Sequence, residues 1–241
     1  MIEKTGGIIL HQLKYSDTSI IVQIYTRKFG RLSFLIKGMR NKKAGKHNIN
    51  FQPLTVLELI VYYKESREMQ MLKEFSVLYS PKDIQCNLKK SCMAIFLGEV
   101  LTSVLKEESP HEELFDYLND SIIFFDQCPE RFLNFHIAFM IGLSAYLGFE
   151  PGKRDDPENT LFDMINGKYV QLPPLHGNFA SAEISDILAK FFVTSWDKID
   201  NISLSGSKRN EVLETLLRFY SLHLPGLKKI NSLEILKEVF S

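Results

Sequence analysis

The chain is poor in thiols. Its three cysteines, Cys86, Cys92 and Cys128, cannot pair evenly and none is spaced C-x-x-C. A secreted disulfide framework and a zinc ribbon both need closely spaced thiol pairs, so both are excluded. Three small buried thiols in a reducing compartment are the expectation. Long apolar runs are missing too. The most apolar stretch, residues 132–149, is interrupted by Asn134, His136, Gly142 and Ser144, which reads as a buried helix and not a membrane span. The N-terminus carries an early acid, Glu3, and no apolar core behind it, so no signal peptide is expected and the cytoplasm is the expected location. With 45% apolar and 24% charged residues, the 241-residue chain has enough core-forming material for one large domain or two small ones.

A third shortage is local. No Asp or Glu occurs from Thr18 to Leu57, yet eight bases fall there: Arg27, Lys28, Arg31, Lys37, Arg40, Lys42, Lys43 and Lys46. Overall the chain is neutral, with 29 basic and 29 acidic residues. Residues 1–80 hold thirteen bases and six acids, a net +7, and the remainder balances it. A basic segment without interspersed acids points to a polyanionic partner.

Residues 1–80 read as strands. Gly7–Leu13 is a leucine- and isoleucine-rich run ended by Ser16 and Asp17, and Ile20, Val22 and Ile24 alternate with Ile21, Gln23 and Tyr25. Further strands are expected through Leu32–Ile36, Leu57–Val61 and Met71–Tyr79. Five short strands suit a small closed barrel of the OB type, with a β-sandwich module as the other option. Ser80-Pro81-Lys82-Asp83 has the composition of a helix start, with Ser80 as cap. The division expected is therefore a basic OB domain over residues 1–80 and a helical domain over 81–241, an α+β protein. Leu97, Val100, Leu101, Val104 and Leu105 form one amphipathic stripe, and other helices are expected near 110–126, 130–148, 182–195, 207–223 and 232–240. Residues 150–180 hold too many Pro and Gly for a helix, and a short hairpin around Asn166-Gly167 is expected there.

Catalytic patterns are scarce. Gly38-Met39-Arg40 lacks the spacing of a phosphate-binding Walker loop, and His111-Glu112-Glu113 lacks the second histidine of a zincin helix. Asp155, Asp156 and Asp163 offer the carboxylates of a metal-dependent nuclease, but their Pro- and Gly-rich setting favours solvated turns. His136 reads as a core histidine, and His47 as a loop residue within reach of a phosphate. The basic loop reads differently. Arg40, Lys42, Lys43 and Lys46 around Asn41 and Gly45 suit contact with an irregular phosphate backbone, on DNA or on RNA. Phe29 and Phe51 are candidates for base stacking, whereas Phe34 belongs to the core by alternation.

Several motifs together resemble the RecO family of bacterial recombination mediators. They are Gly7-Ile8-Ile9-Leu10, Tyr15 to Val22, Thr26 to Arg31, Lys37-Gly38-Met39-Arg40 and Phe51-Gln52-Pro53-Leu54. Tyr146 to Pro151, His223 to Leu227 and Ser232 to Leu236 continue the likeness through the helical part. The resemblance implies an OB fold followed by helices, and a non-enzymatic role in DNA repair and recombination. It implies binding of single- and double-stranded DNA, annealing of complementary strands and, with RecR, help in loading RecA onto strands coated by single-strand-binding protein. The acidic, apolar C-terminal tail of that coating protein is a further implied partner, for which Lys89-Lys90 and Lys228-Lys229 are candidate cations. It also implies a nucleoid-associated location and no membrane partner. The family's Lys-Gly-x-Arg turn falls on Lys37, Gly38 and Arg40, which the resemblance marks as DNA contacts. Lys42, Lys43 and Lys46 join them on charge, with Arg27 from the same acid-free interval. One departure is plain: many family members bind zinc through four cysteines after the Leu-Gly-Phe-x-Pro turn, and residues 151–180 here contain none. No cofactor is expected, and Phe162, Tyr169 and Leu172 are the expected anchors of that segment.

Overall fold

The computed structural model describes residues 1–37, 51–105, 110–130 and 132–240. Strands β1 (Ile2–Lys14), β2 (Ser19–Thr26), β3 (Gly30–Lys37), β4 (Val56–Tyr62) and β5 (Met69–Tyr79) close a barrel in the order β1-β2-β3-β5-β4. All pairings are antiparallel except a short parallel bridge at Ser33–Met69 and Phe34–Gln70. The alternating residues fill the interior: Ile9, Val22, Ile24, Leu32, Phe34, Phe51, Leu57, Leu59 and Val61 form one buried cluster.

β1 is longer than the apolar run that announces it, because it serves two partners. Ile2–Ile8 pairs with β4 and Gly7–Lys14 with β2, and the register shifts between Ile9 and His11 where the strand bends. Gly7 sits in this overlap. A Cβ there would lie 2.6 Å from Leu59 and 2.7 Å from Ile24, so the barrel closes only around a bare backbone.

The first compact unit comprises residues 1–127 and 230–236. The barrel ends at Tyr79, so the change from strand to helix and the change of compact unit fall at different places. After the barrel come α1 (Lys82–Cys86), α2 (Leu88–Val104) and α3 (Glu112–Gln127). Ser80 does not cap, contrary to expectation. Its hydroxyl accepts from Gln85, Pro81 occupies the cap position of the one-turn α1 without a side-chain bond, and Asn87 starts the long helix. Asn87 Oδ1 accepts from the amides of Lys89 and Lys90. The stripe Leu97, Val100, Leu101, Val104 and Leu105 is buried as its spacing predicts. Gly98 brings α2 against β1, since a Cβ would stand 2.5 Å from the Leu10 carbonyl oxygen.

The second unit comprises residues 128–229 and 237–241. Its centre is α4 (Phe135–Tyr146), which buries Phe135, His136, Ile137, Phe139, Met140, Ile141 and Leu143. α4 starts later than the expected residue 130 because Asn134 turns its side chain to tertiary bonds. Its amide donates to the carbonyls of Ile199 and Ile202, and its oxygen accepts from Arg209. The unit continues with α5 (Ala182–Val193), a 3-10 helix at Trp196–Asn201, and α6 (Gly206–His223). The last helix, α7 (Ser232–Phe240), has residues in both units. The hairpin expected around Gly167 forms as β6 (Leu161–Asp163) and β7 (Lys168–Val170), with a third strand β8 (Phe179–Ala180) that two residues of alternation do not announce. Phe162 and Tyr169 anchor this sheet, but Leu172 is 74% exposed and anchors nothing. No described helix is long and apolar enough to cross a membrane.

Candidate nucleic-acid interface

The outer face of β1, β2 and β3 is a ladder of register-matched rows. Ile8, Tyr25 and Arg31 form one row; His11, Gln23 and Ser33 the next; then Leu13, Ile21 and Leu35. Beyond them Lys37 pairs with Ser19, whose carbonyl accepts from the Tyr15 amide, so Tyr15, Ser19 and Lys37 form the last row.

The first row is covered by helices. Tyr25 is 2% exposed and stacks on Phe115 of α3 with ring centroids 6.5 Å apart, and Arg31 Nη1 donates to the Thr102 carbonyl of α2 at 2.8 Å. Arg27, just beyond, is held by a carboxylate pair. Its guanidinium donates to both oxygens of Asp116, at 2.6 and 3.0 Å, and to Glu112 at 3.2 Å. The hydrogen bonds it donates to Asp116 lead the effects that raise its pKa still further, so its charge is fixed and already balanced. Lys4 pairs with Glu58 and Lys28 with Glu3.

The far end is open. Tyr15 is 61% and Leu13 49% exposed, Ile21 and Leu35 are half-buried, and Lys37 is exposed. Lys37 makes no ion pair with any described residue, and Lys14 approaches Asp17 only at 3.8 Å. The chain runs from Lys37 directly into Arg40, Lys42, Lys43 and Lys46, which lie with His47 outside the described residues. Of the six cations singled out from sequence, the structure thus places two. Arg27 is engaged by the fold and Lys37 is left to solvent.

The aromatic candidates are corrected. Phe51 is fully buried and packs on Phe75, and Phe29 stacks on Tyr63 at 4.1 Å against the core. Neither faces solvent for stacking; Phe34 lies in the core as alternation requires. On this face the exposed ring is Tyr15, which sequence reading did not single out for stacking because it sits in a turn, outside any alternating run. Lys64 and Arg67 are a second omission. Buried Gln70 folds the β4–β5 turn by accepting from the Lys64 amide and donating to the carbonyls of Lys64 and Arg67, which leaves both cations exposed. The β1–β2 and β4–β5 turns are the loops with which OB barrels grip oligomeric ligands.

In the second unit the carboxylates serve the backbone. Asp163 is buried and accepts from the amides of Ile165 and Asn166, the Asn166 side chain and His176. Burial works to raise its pKa, but these hydrogen bonds outweigh that and hold it below the ordinary carboxylate range. Asp155 and Asp156 are exposed, and Asp156 accepts from the Glu158 amide. Among the described residues no three His, Cys, Asp or Glu side chains converge as a metal site. His176 has both ring nitrogens engaged, by Asp163 at 3.2 Å and the Asn178 amide at 3.0 Å, so this segment does not fit a zinc ion. The cysteines are not the buried thiols expected: Cys86 is exposed and Cys92 and Cys128 are half-buried. Lys90, considered for a peptide tail, is fully buried and donates to the carbonyls of Phe125 and Asp126 and to Asp83. His136 is buried in α4, and burial, with Arg209 nearby, pushes its pKa down to about 3.

A closed five-stranded barrel in this strand order, with Lys37 unpaired among the described residues at one end of its β2–β3 face, defines an OB-type protein. The profile described as Recombination protein O N terminal matches residues 1–81, and Recombination protein O C terminal matches residues 86–163. The chain is 37% identical to the DNA repair protein RecO of Phocaeicola vulgatus and 35% identical to that of Bacteroides fragilis, over the full length of both chains in each case. The protein of the same name from Christiangramia forsetii is 32% identical, again over full length. The chain belongs to the RecO family.

Proposed function

We propose that this protein is a DNA-binding recombination mediator in DNA repair. It binds single- and double-stranded DNA, anneals complementary strands and, with RecR, assists RecA loading on strands coated by single-strand-binding protein. It acts by holding strands and not by catalysis. The observation that carries this reading is the open end of the barrel face. There Lys37, without an ion-pair partner among the described residues, leads into an acid-free basic segment, in a chain whose relatives are named as DNA repair proteins. Backbone phosphates need cations that the fold has not already neutralised, and among the described residues Lys37 is one.

For the acidic tail of the coating protein, the second unit offers a cleft of about 460 Å3 lined by Lys153, Arg154, Lys190, Phe192 and Val193. Exposed lysines beside an apolar floor suit a peptide of that character. Asp155 and Asp186 also line this cleft, and Asp186 balances Arg154, so the two lysines are the cations left for the tail. Strand annealing, measured with naked and with protein-coated complementary strands, tests the function. Acceleration of both supports it. Strands left unannealed, or cleaved in magnesium, would contradict it.

A further inference from the structure

The first half of β1 pairs with β4, and β4 with β5, so a second outer face lies across these three strands. Its first row is Ile2, Tyr62 and Met71, which are register partners and each 40% exposed or more. Met69 stands two residues along β5 from Met71, hence on the same side of the strand, and is exposed as well. The second row is Lys4, Ile60 and Glu74. Lys4 and Glu74 are exposed at its two ends, about 10 Å apart across two strand spacings, and Ile60 between them is half-buried. Large apolar side chains gathered on one surface over roughly a few hundred Å2 mark an interaction site. The DNA reading uses neither row.

We propose that this face is the contact between two copies of the chain, related by a two-fold axis along β4. Rotation about that line exchanges β1 with β5 and returns β4 to itself. Tyr62 then meets Tyr62 of the second copy, Ile60 meets Ile60, and Ile2 meets Met71. The same rotation sets Lys4 of each copy over Glu74 of the other, so this contact occurs twice in one dimer. Both rows are thus self-complementary, apolar against apolar and base against acid, which is what a two-fold contact demands of a single patch. The charges of the face also cancel, Lys4 and Lys73 against Glu58 and Glu74, so a second copy meets no net repulsion. The unbranched, polarisable methionines adapt their shape to such a neighbour. Two patches of this size fall short of the about 1,600 Å2 of a standard interface, which puts the association in the micromolar range. The inference does not rest on the DNA reading. Joined to it, the dimer carries two basic segments, one for each strand to be annealed.

The test is sedimentation equilibrium of the full-length protein without DNA, from about 1 to about 100 μM, a range that brackets such an association. Wild type should show a monomer–dimer equilibrium. Tyr62→Asp sets like charges against each other on the axis and should stay monomeric throughout, with an unchanged circular dichroism spectrum. Lys4→Glu and Glu74→Lys should each weaken the dimer about ten-fold, because each brings like charges together at two contacts. An equimolar mixture of these two variants should recover the dimer to within about two-fold of wild type, since opposite charges face each other again at both contacts. That recovery separates this arrangement from any other cause of association. A wild type that is monomeric at about 100 μM overturns the inference. So does a dimer that all three variants leave intact, or one that the mixture of charge variants fails to recover.

Discussion

The two ends of one sheet face treat the same kind of side chain in opposite ways. At the covered end Arg27 and Arg31 are drawn into bonds with Asp116, Glu112 and Thr102. At the open end Lys37 has no described partner. An engaged cation recurs in α2, where Lys90 is fully buried on the helix-end carbonyls of Phe125 and Asp126. Counting bases along the sequence treats these groups as equal. What separates them is whether the fold supplies an anion or a carbonyl at hydrogen-bond distance, and only those left over can serve a phosphate.

The covered end should be the most sensitive to change. Gly98→Val puts side-chain atoms into the Leu10 carbonyl and should cost about 3 kcal/mol of stability, measured by denaturant melting. A wild-type midpoint would mean that α2 does not press on β1 there. Lys90→Met should come next. It leaves the carbonyls of Phe125 and Asp126 unbonded, at about 2 kcal/mol, and chemical denaturation with unchanged DNA binding is the expected pair of results.

A titration sharpens the comparison in the second unit, where Arg209 is likewise engaged by Asn134 and Leu204. His136 in the fold resists protonation down to about pH 3, but in the unfolded chain it takes a proton near its ordinary 6.5. Below pH 6.5 the unfolded state therefore binds the extra proton, so stability is full above 6.5 and falls as the pH drops. The slope should be about 1.4 kcal/mol per pH unit until the folded group titrates. His136→Leu should flatten that slope between pH 6.5 and 5. A variant with the same acid sensitivity as wild type would assign the effect elsewhere. Smallest of all should be the effect of Arg27→Ala on DNA: the salt dependence of binding should not move, because this charge is already matched by Asp116 and Glu112.

The alternation of Ile20, Val22 and Ile24 and of Leu32 and Phe34 states the barrel openly, since a half-buried strand requires it. The stripe from Leu97 to Leu105 states the long helix with equal clarity. Local chemistry was less legible. Ser80 looks like a cap but loses that place to Asn87, a choice made by how the chain leaves β5 and enters α2. Phe29 and Phe51 look available for stacking, yet each packs on a ring distant in sequence, Phe29 on Tyr63 and Phe51 on Phe75. Arg27 reads as one more free base because its partners lie 85 and 89 residues away. Tyr15 was not among the stacking candidates for the converse reason, since a turn residue gives no periodic signal of the face it joins. Pairing between distant elements decides each of these cases, and no local pattern carries it.

The central claim is that cations at the open end and in the segment beyond it carry DNA affinity. The salt dependence of single-strand binding tests it directly, comparing wild type with a variant in which Arg40, Lys42, Lys43 and Lys46 are alanine. Each neutralised phosphate contributes about 0.7 to the log-log slope on single strands, so the slope should flatten by about two to three units, with thermal stability almost unchanged. Strand annealing should fall with it. An unchanged slope with normal annealing would contradict the account and move the DNA site off the barrel.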